Sequence, residues 1–150
     1  MGAWFVKGLQ GDDPKYLKAA ACAKHYAVHS GPEPERHVFN AEVSKYDLWD
    51  TYLPAFKTLV VDTKVEGVMC AYNAFQAQPC CGSDLLMVDI LRNQWNFTGY
   101  VTSDCWGIDD FFKNQNLPNL LSLNFSGDDL SDTSIPLLNR HMTSLNIGTA

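Results

Sequence analysis

The chain has 150 residues, 46% hydrophobic and 19% charged, with a formal net charge of -6. That make-up suits a globular chain with one core. The lack of any Lys/Arg run argues against a nucleic-acid partner, and no apolar stretch nears the roughly 18 residues of a membrane span.

Met1-Gly2-Ala3-Trp4-Phe5-Val6-Lys7-Gly8 has no basic region leading into a long apolar run, so it does not read as a signal peptide. Asp12-Asp13-Pro14 predicts a helix start, with Tyr16, Leu17, Ala20 and Ala21 as its buried stripe. Cys22 to Val28 reads as a strand, and the Gly- and Pro-containing run His29 to Arg36 as a loop. Ser44-x-x-Asp47 resembles a capping box, opening a short helix through Thr51-Tyr52. Pro54 then opens a second helix to about Asp62. Val65 to Tyr72 is apolar enough for a strand buried on both faces. Asn73 to Gly82 is a loop, after which Ser83 caps a helix with Leu86, Met87, Ile90 and Leu91 at helical spacing.

Next comes the run Gly99-Tyr100-Val101-Thr102-Ser103-Asp104. A β-branched stretch that ends on a carboxylate is how a buried parallel strand delivers an acid to the mouth of an α/β fold. The plainer alternative is that Asp104 caps a helix starting near Ile108. Helices alternating with strands imply right-handed crossovers and a parallel sheet. The strand ends carry Lys24-His25, Tyr72-Asn73 and Asp104, which a parallel sheet gathers on one edge. Residues 114–150 show weak periodicity and are expected to be largely irregular, with a short helix or two around Asp128–Leu130 and Ile135–Leu138.

Five cysteines, an odd count with the adjacent pair Cys80-Cys81, do not suggest a disulfide framework. Cys22, Cys70 and Cys105 read as buried small hydrophobes. No C-x-x-C pair supports a zinc site. His29 and His37 with His25 and Glu33 lack the fixed spacing of metal ligands, so neither metal nor cofactor is expected. The sequons at Asn96 and Asn124 carry little weight.

Lys24-His25-Tyr26, Ser30-Gly31-Pro32-Glu33, Tyr52-Leu53-Pro54-Ala55-Phe56-Lys57, Val68-Met69-Cys70-Ala71-Tyr72-Asn73, Pro79-Cys80-Cys81-Gly82-Ser83 and Ser103-Asp104-Cys105 occur in one order over residues 8–113. Together they resemble glycoside hydrolase family 3, in its β-xylosidase/β-glucosidase branch. The Lys-His-Phe-Pro-Gly-His-Gly loop of the β-N-acetylglucosaminidase branch is absent. The resemblance implies an α/β fold, part of a (β/α)8 (TIM-like) barrel with about three parallel strands and crossover helices. It divides the chain into a barrel fragment, residues 1–113, and a poorly matching tail, 114–150.

The implied activity is hydrolysis of terminal β-linked xylose or glucose by a retaining double displacement. Asp104 is the implied nucleophile. Lys24, His25 and Tyr72 are implied sugar-binding residues, Arg36 a further one, and Trp106 either stacks on a sugar or packs under the barrel rim. The implied partners are oligosaccharides or aryl glycosides. A barrel needs about 250 residues, so the resemblance implies further barrel strands and a second domain with the acid/base, leaving this piece inactive alone. The compartment is not stated by this sequence, although a secreted or periplasmic full-length protein is compatible with the resemblance. A non-catalytic carbohydrate-binding remnant of the same fold is the alternative. An unrelated doubly wound α/β binder is disfavoured, because no Gly-rich phosphate loop follows a strand.

Overall fold

The computed structural model describes residues 1–13, 15–114, 122–126 and 144–148. In chain order the first elements are α1 (Gly2–Gln10), β1 (Cys22–Tyr26), β2 (Asn40–Ala41), α2 (Lys45–Asp47), α3 (Pro54–Lys57) and β3 (Gly67–Cys70). They are followed by β4 (Ala74–Phe75), β5 (Gln78–Pro79), β6 (Tyr100–Ser103), α4 (Gly107–Lys113), β7 (Ser122–Ser126) and β8 (Ser144–Gly148). β1, β3 and β6 form one parallel sheet in the order β1-β3-β6, as the alternation of elements predicts. Cys22, Gly67 and Tyr100 stand in register, as do Ala23, Val68 and Val101.

The two faces of this sheet differ. Ala23, Tyr26, Val68 and Cys70 are buried against the crossover helices, with Leu53, Val60, Leu86, Ile90, Leu91 and Trp95 in the same core. The Tyr26 ring meets Phe56 edge-on at 5.1 Å between centroids, and its hydroxyl donates to the Leu86 carbonyl at 3.0 Å. A buried phenol with its hydrogen bond satisfied keeps both the apolar ring and the polar tip content. On the opposite face Cys22, Met69 and Thr102 are half-buried and Tyr100 is exposed. β6 is therefore not the buried strand expected: β3 is its one neighbour among the described residues, so its outer side is open.

The predicted helices through Tyr52 and from Pro54 to Asp62 are present. Ser44 Oγ caps the first by accepting from Asp47 N at 3.0 Å, and it donates to the Asp47 carboxylate at 2.6 Å. Each helix widens to i→i+5 hydrogen bonding after its α-helical start, over Leu48–Tyr52 and Thr58–Asp62. The third, Asp84–Gln94, starts under the Ser83 cap. It buries Leu86, Ile90 and Leu91 and leaves Met87 half-buried. Gly99 then turns the chain into β6. A Cβ there would collide with the Glu66 carbonyl, which accepts from Tyr100 N at 3.0 Å.

Four further expectations are overturned. The first helix lies upstream, at α1, and residues after Asp12 do not continue one. Asp13 Oδ1 accepts from Lys15 N and Tyr16 N, a local turn in place of a helix cap. Tyr16, Leu17 and Ala20 are exposed, and of that stripe only Ala21 is buried. Second, the loop 73–82 contains a hairpin, β4 with β5, and β2 adds to it in parallel. Third, Cys70 and Cys81 form a disulfide across a Cα separation of 5.2 Å, and Cys105 is exposed. Fourth, the tail is not simply irregular: β7 and β8 pair in parallel as a two-stranded sheet of their own. The helices expected around 128–130 and 135–138 lie outside the described residues.

Gln10, 6% exposed at the end of α1, ties the base of the main sheet together. Its Oε1 accepts from Glu66 N at 2.9 Å and Ala21 N at 3.3 Å, and its Nε2 donates to the Lys64 carbonyl at 2.9 Å. Removing one partner leaves the others desolvated, which costs more than the bond contributes. Gln10→Ala is expected to lower stability by about 2–4 kcal/mol, read as a lower urea midpoint. An unchanged midpoint would show that water replaces the amide.

Candidate active site

The C-terminal ends of the three parallel strands define the site. His25 is the fourth residue of β1, Tyr72 lies two residues past β3, and Asp104 directly follows β6. His25 Nε2 lies 2.9 Å from Asp104 Oδ2. Burial, then the Lys24 charge, holds the His25 imidazole below its ordinary range, against the pull of Asp104. A neutral ring in this contact donates its Nε2–H to the carboxylate. Asp104 Oδ1 accepts from Cys105 N at 2.7 Å, so each carboxylate oxygen has an oriented donor.

Tyr72 donates its hydroxyl proton to the Cys105 carbonyl at 2.7 Å. Burial and the adjacent Asp104 carboxylate push its phenol up to about 12, so it stays protonated. Asp104 is not the cap of the next helix. α4 starts at Gly107 with Trp106 in the capping place, and the Asp104 side chain bonds the backbone of its immediate neighbour. Trp106 does not pack under the rim: it is 81% exposed, on a left-handed backbone with φ 61°.

Lys24 and His25 face an open cleft of about 400 Å³ with His29, Ser30 and Tyr52. Lys24 forms no ion pair among the described residues; its effect is on His25, not by contact with Asp104. Arg36 does reach the site. Its guanidinium carbon stands 5.5 Å from the Tyr72 ring centroid, and Nη1 pairs with Glu33 Oε1 at 2.6 Å.

Asn73, His37 and Asp110 also belong here, and the sequence reading gave none of them a role in sugar binding. Buried Asn73 donates from Nδ2 to the Ala74 carbonyl at 3.0 Å and to Val28 and Ala27 at 3.4 and 3.5 Å. Its Oδ1 meets His29 Nδ1 at 3.1 Å. His37 lies against Tyr72, with centroids 4.4 Å apart, and bonds Asp110 at 2.7 Å. The histidines weighed as metal ligands are thus engaged with Asn73 and Asp110. Asn73, next to Tyr72 in its motif, was the one with a readable signal. A carboxylate held by two donors at a strand end, beside a phenol and a guanidinium, is a group whose chemistry allows nucleophilic attack, among side chains able to hydrogen-bond a polyhydroxyl ligand.

Parallel strands, crossover helices and polar residues at the strand ends define a segment of an α/β barrel. The chain belongs to glycoside hydrolase family 3: the model of the glycosyl hydrolase family 3 N-terminal domain matches residues 1–124. It is 57% identical over 116 residues to a xylan 1,4-beta-xylosidase of Xylanibacter ruminicola, covering 76% of this chain and 14% of that enzyme. It is 44% identical over 120 residues to beta-xylosidase/alpha-L-arabinofuranosidase 2 of Medicago sativa subsp. varia, covering 75% of this chain and 15% of that enzyme. Among solved structures it resembles a family 3 exo-beta-xylosidase in complex with a xylobiose aziridine probe. The TM-score there is 0.72 at 32% identity, over 76% of this chain and 16% of that one. The chain thus spans about one-seventh of the curated relatives it matches. The fold is α/β, part of a TIM-like barrel.

Proposed function

We propose that this chain is the nucleophile-bearing segment of a retaining β-glycosidase that releases terminal β-linked xylose or glucose from oligo- or polysaccharides. The single observation that carries the reading is the Asp104 carboxylate held by His25 Nε2 at 2.9 Å at the end of β6. In the first step an Asp104 oxygen bonds the anomeric carbon while the glycosidic bond breaks and the leaving oxygen takes a proton from an acid. In the second, water attacks the same carbon, gives up its proton to the conjugate base, and frees Asp104. The acid/base is assigned to the remainder of a longer polypeptide, of which residues 1–113 supply barrel strands and 114–150 a separate tail. The isolated segment therefore lacks turnover. Lys24, His25, Tyr72 and Arg36 hold sugar hydroxyls, and exposed Trp106 offers a stacking face.

Xylose is the favoured glycone, because the relatives at 57% and 44% identity bear xylosidase names. The test is hydrolysis of aryl β-xyloside and β-glucoside by the full-length protein, followed by proton NMR of the first product. The β-anomer is expected to appear first, with the xyloside preferred. Inverted product, or no hydrolysis of either, would overturn the reading.

A further inference from the structure

We infer that His37 and Asp110 are positioning residues for sugar binding: they hold the Arg36 guanidinium against the face of Tyr72. The inference rests on the reading of the site proposed above. Asp110, on α4, is 5% exposed. Both its carboxylate oxygens are occupied: Oδ1 accepts from Asn114 Nδ2 at 2.6 Å, and Oδ2 meets His37 Nδ1 at 2.7 Å. A buried carboxylate needs such donors, so the His37 proton is on Nδ1. That leaves the Nε2 lone pair, and Arg36 Nε donates to it at 3.2 Å.

Arg36 is then fixed at three places. His37 takes Nε, Glu33 takes Nη1, and the Tyr72 ring lies under the guanidinium. Its Nη2 protons have no hydrogen-bond partner among the described residues. A planar guanidinium held at Nε and Nη1 presents Nη2 to ligand oxygens with little rotamer entropy left to lose. His37 also lies against Tyr72 directly. The buried carboxylate on the helix after the nucleophile thereby sets the posture of an arginine 74 positions earlier in the chain.

The experiment uses the full-length protein and an aryl β-xyloside. His37→Phe keeps a ring against Tyr72 and loses both hydrogen bonds. It is expected to raise KM about tenfold, with kcat changed by less than about twofold, the loss of one charge-assisted hydrogen bond. The melting temperature is expected to fall, because buried Asp110 loses a donor, and to fall equally with and without Arg36, so KM carries the test. In an Arg36→Ala background the same change should have no further effect on KM, the sign that His37 acts through Arg36. Asp110→Ala should copy His37→Phe, while Asp110→Asn, which retains an acceptor oxygen for Nδ1–H, should remain near the parent. If His37→Phe does not accumulate as folded protein, Asp110→Ala combined with Arg36→Ala completes the same cycle. An unchanged KM, or an equal effect with and without Arg36, overturns the inference while the parent enzyme's activity leaves the site reading standing. A parent that hydrolyses neither a xyloside nor a glucoside overturns both.

Discussion

Treating the full-length protein with a 2-deoxy-2-fluoro β-xyloside is expected to leave one covalent label, on Asp104. The fluorine destabilises the oxocarbenium-like transition states of both steps, and an activated leaving group lets the first outrun the second, so the glycosyl-enzyme accumulates. Peptide mapping reads the site directly. Asp104→Asn keeps the shape and one oxygen for the Cys105 amide, but gives His25 a far weaker acceptor and the sugar no nucleophile. Its kcat is expected to fall by on the order of 10⁴-fold or more. A label on Asp109, Asp110 or Glu33 would move the nucleophile away from the end of β6. Asp110 is a stringent comparison: it too is an acid near Tyr72, but both its oxygens are already committed to His37 and Asn114.

The second large effect is expected at Lys24 and His25. Each to alanine should weaken transition-state binding by about 2–4 kcal/mol, as charged or oriented hydrogen bonds to hydroxyls are lost. The two should differ in where the loss appears. His25 touches Asp104, the proposed nucleophile, so His25→Ala should lower kcat as well as raise KM. Lys24 faces the cleft without contacting Asp104, so Lys24→Ala should act mainly through KM. Steady-state kinetics on an aryl β-xyloside separate the cases, and unchanged kcat/KM for either variant removes that residue from the site.

The parallel order of β1, β3 and β6 was legible because it rests on local signals. Three apolar strand runs alternate with capped helices, and right-handed crossovers then gather their ends. Ser44, Pro54 and Ser83 mark helix starts that the structure contains. The miss after Asp12 is instructive in the same terms: Asp13 makes the side-chain to backbone bonds that an N-cap makes, but no helix follows to use them. Exposed Tyr16 and Leu17 mimicked a buried stripe. What depends on tertiary distance was not legible. Cys80 and Cys81 are neighbours in sequence, yet Cys80 is a buried free thiol and Cys81 joins Cys70. His37 and Asp110 meet across 73 positions, and nothing local to either pointed to the other.

Asn73 makes the junction of β1 and β3 sensitive to a change of a single atom. Its amide nitrogen faces the carbonyls of Ala27, Val28 and Ala74. Spontaneous deamidation would put a second oxygen where that nitrogen stands. Three acceptors would then confront a fourth, and His29 would face an anion instead of an amide oxygen. Full burial of Asn73 shields it from the water that this slow chemistry requires. The durability of the strand-end geometry over the life of the molecule thus depends on keeping one side chain dry.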